Sequence, residues 1–269
     1  MIIYDMKTRH QANPLGIDLT DLTLSWKVKD AVGTAAEKIR VRIAQDPSME
    51  DCCFDSGEVP CALCQYSPDT SLLPGQPYYW QVEVTDNAGD HAVSAPAYFE
   101  GGHPEGEWTG HWIKAPFVQE IHPVFQKDFA LPFSMEGKSA RLYICGLGLY
   151  EVYLNGEKVG DEYLAPYYTD YRFRVQYQTY NVTDLLKSGK NRVDVYLGNG
   201  WYKGKFGYKN HAELQNYYGN EFILLADLYV TDAASGTGTD TLWAMGTDET
   251  WYALKSPVLT SEIYEGELY

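Results

Sequence analysis

Residues 150–159 read YEVYLNGEKV, and this stretch decides how the second half of the chain folds. Apolar and polar side chains alternate on both sides of Asn155-Gly156. Such alternation is typical of a half-buried strand, and Asn-Gly between two alternating runs favours a tight two-residue turn. The stretch therefore predicts an antiparallel β-hairpin.

Further strand signals surround this hairpin. They lie at residues 112–114, 124–129, 140–144, 171–180, 191–197 and 222–230. Residues 181–186 predict a strand end that Thr183 caps into one helical turn. The sequence has no long amphipathic helical pattern, so we expect residues 112–269 to form an antiparallel β-sandwich of the jelly-roll type.

The first hundred residues show the same period of two. Leu22, Leu24 and Trp26 alternate with polar residues, as one face of a strand does. Residues 72–85 read LLPGQPYYWQVEVT, in which a Pro-Gly turn precedes a tyrosine that opens an alternating strand. This order is that of a tyrosine corner. We predict an all-β chain that begins with a fibronectin type III-like β-sandwich over residues 1–100, with Trp26 in its core.

Residues 101–111 are predicted to link the two domains. They begin GGHPEGE, which is rich in glycine and acidic residues and lacks apolar periodicity. Residues 233–239, AASGTGT, predict a flexible loop between two strands of the second domain. Two domains suit a chain of 269 residues.

Composition limits the partners that the chain can bind. The sequence has 23 Tyr and 7 Trp residues, a content that suits both packed strands and the flat faces of sugar rings. Its formal net charge is −16, so it repels nucleic-acid phosphates and anionic lipid surfaces. We expect no binding to nucleic acid or membranes, whereas a neutral sugar, a cation or another protein stays compatible with this charge.

Four of the five cysteines, Cys52, Cys53, Cys61 and Cys64, fall within one short segment. Free thiols, a zinc site and a disulfide are all compatible with this spacing. Adjacent residues of an extended chain point to opposite sides, which disfavours shared coordination by Cys52 and Cys53. Free thiols are the favoured interpretation.

The N-terminal sequence MIIYDMKTRHQANPLGIDL lacks the basic start, apolar run and cleavage site of a secretory signal. No stretch approaches the roughly 20 apolar residues that cross a membrane as a helix. We therefore expect a cytoplasmic location.

Several ordered motifs carry a family resemblance. They are GLGLYEVYLNGEKVGD at residues 146–161, EYLAPYYTDY at 162–171, VQYQTYNVTDLL at 175–186 and LGNGWYKG at 197–204, together with residues 13–17, 24–26 and 261–269. In this order they resemble the N-terminal region of bacterial α-L-rhamnosidases. The resemblance covers essentially the whole chain.

The resemblance implies what the longer proteins of this family do. They are glycoside hydrolases that remove terminal α-L-rhamnose with inversion, using carboxylates of an (α/α)6 barrel that lies downstream. We therefore expect no catalytic residues in this chain, with the barrel of the same polypeptide and a rhamnose-containing glycoside or polysaccharide as its partners. Asp161-Glu162 and Asp248-Glu249 do not replace the catalytic pair, because neighbours in a strand point to opposite faces.

The resemblance also implies a candidate binding site. The jelly-roll domain of some α-L-rhamnosidases holds L-rhamnose beside a calcium ion, and the loops at residues 160–162 and 198–201 correspond to the place of such a site. Asp161, Glu162 and Asn199 are the candidate calcium ligands, since hard oxygen atoms suit this ion. The candidate contacts to the sugar are Asp161, Glu162, Tyr167, Asn199, Trp201 and Tyr202.

Alternatives stay open for the function of these residues. Gly160-Asp161 and Asn199-Gly200 are equally compatible with plain turns, with Trp201 joining two sheets. In the favoured interpretation the chain is an accessory region that acts as a spacer or guides substrate to the barrel. In the alternative it is an autonomous calcium-dependent module that binds rhamnose. A cell-surface adhesion protein fits the fold class too, but it predicts a leader or repeats, and the sequence has neither.

Overall fold

The computed structural model describes residues 1–61, 63–103, 108–118, 120–205, 216–232 and 241–269. These residues form β-strands joined by turns, with one short 3-10 helix at Thr183–Leu185, and the predicted all-β architecture is confirmed. Within these ranges no helix is long and apolar enough to cross a lipid bilayer. The described residues divide into two compact units, residues 1–103 and residues 108–232 with 241–269.

The first unit is a β-sandwich. Its strands are β1 (Ile2–Thr8), β2 (Leu24–Lys29), β3 (Ala36–Ala44), β4 (Cys52–Asp55), β5 (Val59–Pro60), β6 (Gln65–Tyr66), β7 (Pro77–Asp86), β8 (His91–Val93) and β9 (Ala97–Glu100). One sheet has the order β1-β2-β6. The other has the order β4-β3-β7-β8, with β5 also paired to β3 and β9 to β7.

Two tryptophans from different sheets meet in the core of this unit. Trp26 of β2 is 3% exposed and Trp80 of β7 is fully buried, and their ring centroids lie 6.4 Å apart. The indole N–H of Trp80 donates to Thr8 Oγ1 at 3.1 Å. The prediction that Trp26 is a core residue is therefore confirmed.

The loop before β7 is a tyrosine corner, as predicted. The hydroxyl of Tyr78 donates to the Leu73 carbonyl at 3.1 Å and accepts from the Leu73 N–H at 2.8 Å. Gly75 has a φ of +69°, a left-handed conformation that glycine adopts without strain. The ring of Tyr78 stacks on Phe99, with centroids 5.3 Å apart. The corner thus fixes the entry of the chain into β7.

The second unit is built from two five-stranded antiparallel sheets. Its strands are β10 (Ile113–Lys114), β11 (Pro123–Leu131), β12 (Lys138–Leu147), β13 (Leu149–Leu154), β14 (Glu157–Lys158), β15 (Gln178–Asn181), β16 (Gly189–Gly198), β17 (Ile223–Asp232), β18 (Thr241–Gly246), β19 (Tyr252–Lys255), β20 (Thr260–Glu262) and β21 (Gly266–Leu268). The β12 sheet has the order β10-β17-β12-β15, with β18 on β17. The β16 sheet has the order β14-β13-β16-β11-β19, and β20 and β21 form a separate hairpin. A jelly-roll connectivity stays a prediction.

The predicted hairpin at residues 150–159 is confirmed as β13 and β14. Asn155 and Gly156 have φ values of +53° and +86°, which are the two positive angles of a type I′ turn. Apolar side chains of the two sheets pack into one core. Its members include Phe125, Leu142, Ile144, Val152, Leu154, Val193, Val195, Leu224 and Leu228.

Two local predictions in this unit were wrong. Strand β15 covers only residues 178–181 of the predicted strand 171–180, because residues 171–174 form a turn. The carbonyl of Asp170 accepts from the N–H groups of Phe173 and Arg174 at 2.9 and 3.0 Å. The predicted helical turn is present, but its N-cap is Val182, and the Thr183 hydroxyl donates to the side chain of Asn181 at 2.6 Å.

The central strands of the β12 sheet, β12 and β17, are largely buried on both faces. Cys145 points away from the core side chains of its own strand and is still only 3% exposed. Burial raises the pKa of this thiol to about 12, so it is an inert packing residue. On the same sheet Asp227 is fully buried and accepts from the N–H groups of Thr109 and Gly110 at 2.8 and 2.7 Å. A buried carboxylate thus fixes the segment that leads into β10.

The described part of the predicted linker belongs to the two units. Gly101 and Gly102 donate to the carbonyls of Gln76 and Ile17 in the first unit, at 3.1 and 2.8 Å. Thr109 and Gly110 belong to the second unit through Asp227. The other predicted linker residues, 104–107, and the predicted loop at 233–239 lie outside the described residues.

The cysteines of the first unit are free thiols in the structure. Cys52 donates to the Met49 carbonyl at 3.4 Å, and Cys53 donates to the Ile43 carbonyl at 3.3 Å. Within the described ranges no three His, Cys, Asp or Glu side chains are arranged to hold a metal ion.

Candidate functional site

Seven aromatic side chains of the second unit form a surface group, hereafter the aromatic cluster. Its members are Tyr168, Tyr171, Phe173, Trp201, Tyr202, Tyr217 and Tyr218. The ring centroids of Tyr168 and Trp201 lie 6.0 Å apart, and those of Tyr171 lie 5.5 Å from Tyr202 and 5.2 Å from Tyr218. Tilted and edge-on pairs at these distances stabilise one another. The cluster therefore joins three segments that are separate in sequence.

A tight turn presents the exposed part of the cluster. Thr169 is buried and its hydroxyl donates to the Arg174 carbonyl at 2.7 Å, which closes the turn at residues 170–174. Tyr168 lies before this turn and is 47% exposed. Phe173 lies at its far side and is 85% exposed. The turn thus holds two aromatic faces at the surface.

Arg172 adds a cation to these faces. Its guanidinium lies 5.7 Å from the centre of the Phe173 ring and 5.8 Å from that of Tyr217. The carboxylate of Asp170 accepts from Arg172 at 2.8 and 2.5 Å, and this hydrogen-bonded pair lowers the pKa of Asp170. Flat apolar faces beside a fixed hydrogen-bond donor match the two kinds of surface that a neutral sugar presents.

The predicted residues Asp161 and Glu162 lie apart from such a face. Asp161 is exposed, whereas the Oε2 atom of Glu162 is buried and makes no hydrogen bond. Burial and the nearby Glu162 charge raise the pKa of Tyr180 to about 12. Gly160 has a φ of +72°, and a Cβ there would collide with Glu162 and Tyr180. This segment is therefore packed down onto β15.

The predicted calcium ligand Asn199 is engaged in another contact. Its amide Nδ2 donates to Glu262 Oε1 at 2.9 Å, and its Oδ1 accepts from the ammonium of Lys203 at 3.0 Å. The amide oxygen thus faces a cation. The role of Asn199 as a calcium ligand stays a prediction.

Lys203 is buried, whereas most lysine side chains lie in solvent. It is 5% exposed, and its ammonium lies 4.1 Å from the centre of the Phe222 ring. His122 is 3% exposed and packs on the same Phe222 ring, with the two ring centroids 5.1 Å apart. Neither ring nitrogen of His122 makes a hydrogen bond. Burial and the Lys203 charge lower the pKa of His122 to about 4, so its imidazole is neutral at pH 7. Burial also lowers the pKa of Lys203.

The structure therefore divides the predicted site. Trp201 and Tyr202 lie in the aromatic cluster, and Tyr167, which precedes Tyr168, is 51% exposed. Of the three predicted calcium ligands, Asp161 is exposed, Glu162 lies near Tyr180 and Asn199 bonds Glu262 and Lys203, and a calcium site stays a prediction. Sequence reasoning missed three exposed members of the surface, Tyr168, Phe173 and Tyr217. The aromatic run at residues 167–173 was the signal that could have pointed to Tyr168 and Phe173. The wrong prediction of a strand at residues 171–180 obscured it.

Several carboxyl groups of the second unit form ion pairs. Asp128, Glu151 and Asp170 each pair with a lysine or arginine at 2.5–2.9 Å. Among the described residues, nine carboxyl groups have a lowered pKa. They are Asp5, Asp18, Asp46, Asp55, Asp86, Asp128, Glu151, Asp170 and Asp248.

Two family models match the chain. Residues 136–269 match the α-L-rhamnosidase N-terminal domain. Residues 3–105 match the Rha78A-like N-terminal immunoglobulin domain. The β-sandwich predicted for the first unit is thus confirmed, and the matching model describes it as an immunoglobulin domain.

Curated relatives carry the same family name. An α-L-rhamnosidase of Streptomyces avermitilis is 36% identical over 191 residues, which are 69% of this chain and 18% of that protein. An α-L-rhamnosidase of Formosa agariphila is 30% identical over 280 aligned residues, covering 96% of this chain and 29% of that protein. The chain thus spans less than a third of the length of these relatives.

Solved α-L-rhamnosidases have the same fold over this region. The enzyme of Dictyoglumus thermophilum matches all of this chain and 31% of its own, with a TM-score of 0.85 and 27% identity. The enzyme of Aspergillus terreus also matches all of this chain and 31% of its own, with a TM-score of 0.83 and 31% identity. The chain therefore belongs to the α-L-rhamnosidase family, and it corresponds to the N-terminal domain region of these longer proteins.

Proposed function

We propose that this chain is a non-catalytic accessory region of an α-L-rhamnosidase, in which another part of the longer protein hydrolyses terminal α-L-rhamnose. The observation that carries this proposal is the state of the carboxyl groups. Glycoside hydrolysis by inversion needs one carboxylic acid that is protonated and can donate to the leaving oxygen. Lowered pKa values make the nine carboxyl groups named above unsuited to that role. The expected cytoplasmic location is part of the same proposal.

A hydrolysis assay tests the non-catalytic role. The chain is incubated with an aryl α-L-rhamnoside, and the full-length Streptomyces avermitilis relative serves as the positive control. We expect release of the aryl group at the rate of the buffer blank. Release above the blank that Asp161→Asn or Glu162→Gln abolishes would contradict the proposal.

A specific observation favours a second function, contact with a rhamnose-containing glycan through the aromatic cluster. Phe173 and Tyr217 present exposed rings beside the guanidinium of Arg172, and Tyr168 is an exposed member of the same cluster. The methyl group and C–H faces of a deoxy sugar pack on such rings, and its hydroxyls accept from the guanidinium. No metal ion is needed for these contacts. An accessory region of this kind would hold substrate near the enzyme and raise its local concentration.

Calorimetric titration with a rhamnose-containing oligosaccharide tests this second function. Phe173→Ala and Tyr217→Ala should each weaken binding at least about threefold, because each removes one stacking contact. Tyr252→Ala is the matched control, since Tyr252 is 63% exposed on β19 and does not belong to the cluster. Equal affinities for all variants, or binding that requires calcium and Asp161, would contradict the assignment and favour the calcium-dependent module.

A further inference from the structure

The C-terminal hairpin, formed by β20 and β21, is bound to the Gly198–Lys205 loop. Glu262 accepts from the amide of Asn199 at 2.9 Å and from the backbone N–H of Lys205 at 3.0 Å. The ammonium of Lys205 pairs with Glu265 at 2.6 Å. Hydrogen bonds to charged groups are stronger than those between neutral groups. The Gly198–Lys205 loop therefore holds the C-terminal hairpin in place.

The same loop carries one side of the aromatic cluster. Trp201 contacts Tyr168 and Tyr202 contacts Tyr171, both by edge-on ring pairs. These two tyrosines flank Asp170, the residue that organises the turn with Phe173. The cluster contacts at Trp201 and Tyr202 thus lie two and three positions after the hairpin contact at Asn199.

Close packing leaves the loop little room to move. A Cβ at Gly198 would lie 2.6 Å from Ser261 Oγ, and one at Gly204 would lie 3.1 Å from Glu262 Oε2. The Gly200 N–H donates to the Lys203 carbonyl at 2.5 Å, and Lys203 itself is buried against Phe222. Close-packed segments shift together when one contact changes. A displacement at either end of the loop is therefore transmitted to the other end.

We infer that Asn199 is a positioning residue that couples the C-terminal hairpin to the aromatic cluster through the Gly198–Lys205 loop. In this account Asn199 does not bind a ligand. It holds the loop between Glu262 on one side and Lys203 on the other, and so fixes where Trp201 and Tyr202 support Tyr168 and Tyr171. Coupling of this kind is reciprocal, so a change at the cluster loosens or tightens the hairpin. The inference does not depend on whether the cluster binds a sugar.

Amide hydrogen exchange of the whole chain tests the coupling. Asn199→Asp keeps an oxygen that accepts from Lys203. It replaces the amide donor by a carboxylate, which repels the carboxylate of Glu262. Exchange should become about tenfold faster in residues 259–268 and also in residues 166–174, since the loss of a hydrogen bond to a charged group has this size. The double variant Asn199→Asp, Glu262→Gln restores a donor and an acceptor, so both segments should return to the wild-type rates.

Glu267→Gln is the matched control, because Glu267 lies in the same hairpin and bonds Tyr269 instead of the loop. It should leave residues 166–174 unchanged. Faster exchange of the hairpin in Asn199→Asp with wild-type rates at residues 166–174 would overturn the inference, as would wild-type rates in both segments. If Asn199→Asp does not fold, Tyr168→Ala tests the coupling from the side of the aromatic cluster. It should speed exchange in residues 259–268, and unchanged rates there would equally overturn the coupling.

Discussion

Two glycine-containing loops, one in each unit, are held in place in different ways. In the corner loop, residues 72–78, the hydroxyl of Tyr78 bonds the backbone of Leu73 only five residues earlier. In the Gly198–Lys205 loop, Asn199 and Lys205 bond Glu262, which lies 63 and 57 residues later in the chain. The side-chain hydrogen bonds of the corner are thus local, and Gly75 and Gln76 add backbone hydrogen bonds to Gly102 and Gly101 at 2.8 and 3.1 Å, whereas the side chains of the second loop depend on a distant hairpin.

The two loops also differ in the charge that they bury. Tyr78 is neutral, and its hydroxyl meets backbone groups of an exposed residue. Lys203 is a buried amine whose hydrogen-bond acceptor is the amide of Asn199, with His122 beside it on Phe222. Removing one partner of a buried charge is far more costly than removing a hydroxyl that water can replace. Substitutions and pH should therefore affect the second loop much more than the corner.

The largest effect is expected for Asn199→Ala. This change leaves Lys203 without its acceptor and the Oε1 atom of Glu262 without its donor, so the free energy of unfolding of the second unit should fall by about 3 kcal/mol. Urea denaturation measures it, with the exposed Asn220→Ala as control. Adding Lys203→Met removes the buried charge and should recover more than half of the loss. If the losses of unfolding free energy from Asn199→Ala and Lys203→Met simply add in the double variant, Asn199 and Lys203 do not share one network.

The second largest expected effect is the dependence of the unfolding free energy on pH that His122 causes. Its pKa is about 4 in the folded chain, against an ordinary value of 6.5. As pH falls below 6.5 the unfolded chain takes up this proton first, so stability present above pH 6.5 is lost progressively down to about pH 4. Between pH 7 and pH 5 the wild type should lose about 2 kcal/mol more than His122→Phe. Urea denaturation at the two pH values measures this difference, and equal losses would refute it.

A smaller effect is expected in the corner loop. Tyr78→Phe removes the hydroxyl that bonds Leu73, and water can reach the backbone of Leu73 because this residue is 62% exposed. The first unit should lose about 1 kcal/mol of unfolding free energy, without dependence on pH between 5 and 7. The neighbouring Tyr79→Phe is the control. If Tyr78→Phe lost as much unfolding free energy as Asn199→Ala, the proposed difference between the two loops would be contradicted.

The smallest effect is expected from calcium. Since Asn199 Oδ1 already accepts from Lys203, adding millimolar calcium or a chelator should leave the melting temperature of the chain unchanged within about 1 °C. Differential scanning calorimetry with magnesium as the control ion measures this. A calcium-specific rise that Asp161→Ala abolishes would instead support the sequence-based calcium site.

The contrast between the loops also explains what the sequence could predict. The tyrosine corner and the Asn155-Gly156 hairpin depend on residues within about ten positions of one another, and both are found in the structure. The partner of Asn199 lies 63 residues away, and no pattern of spacing in a single sequence specifies such a pair. Phe173 was missed because the carbonyl of Asp170 starts a turn where alternation predicted a strand.

The measurement that tests the account most directly is a nuclear magnetic resonance titration of the labelled chain with a rhamnose-containing oligosaccharide. We expect the backbone and side-chain signals of Tyr168, Phe173 and Tyr217 to shift in a saturable way, with or without calcium, and those of Asp161 to stay in place. Shifts that centre on Asp161 and Glu162, or a titration that leaves the aromatic cluster unchanged, would contradict the proposed binding surface.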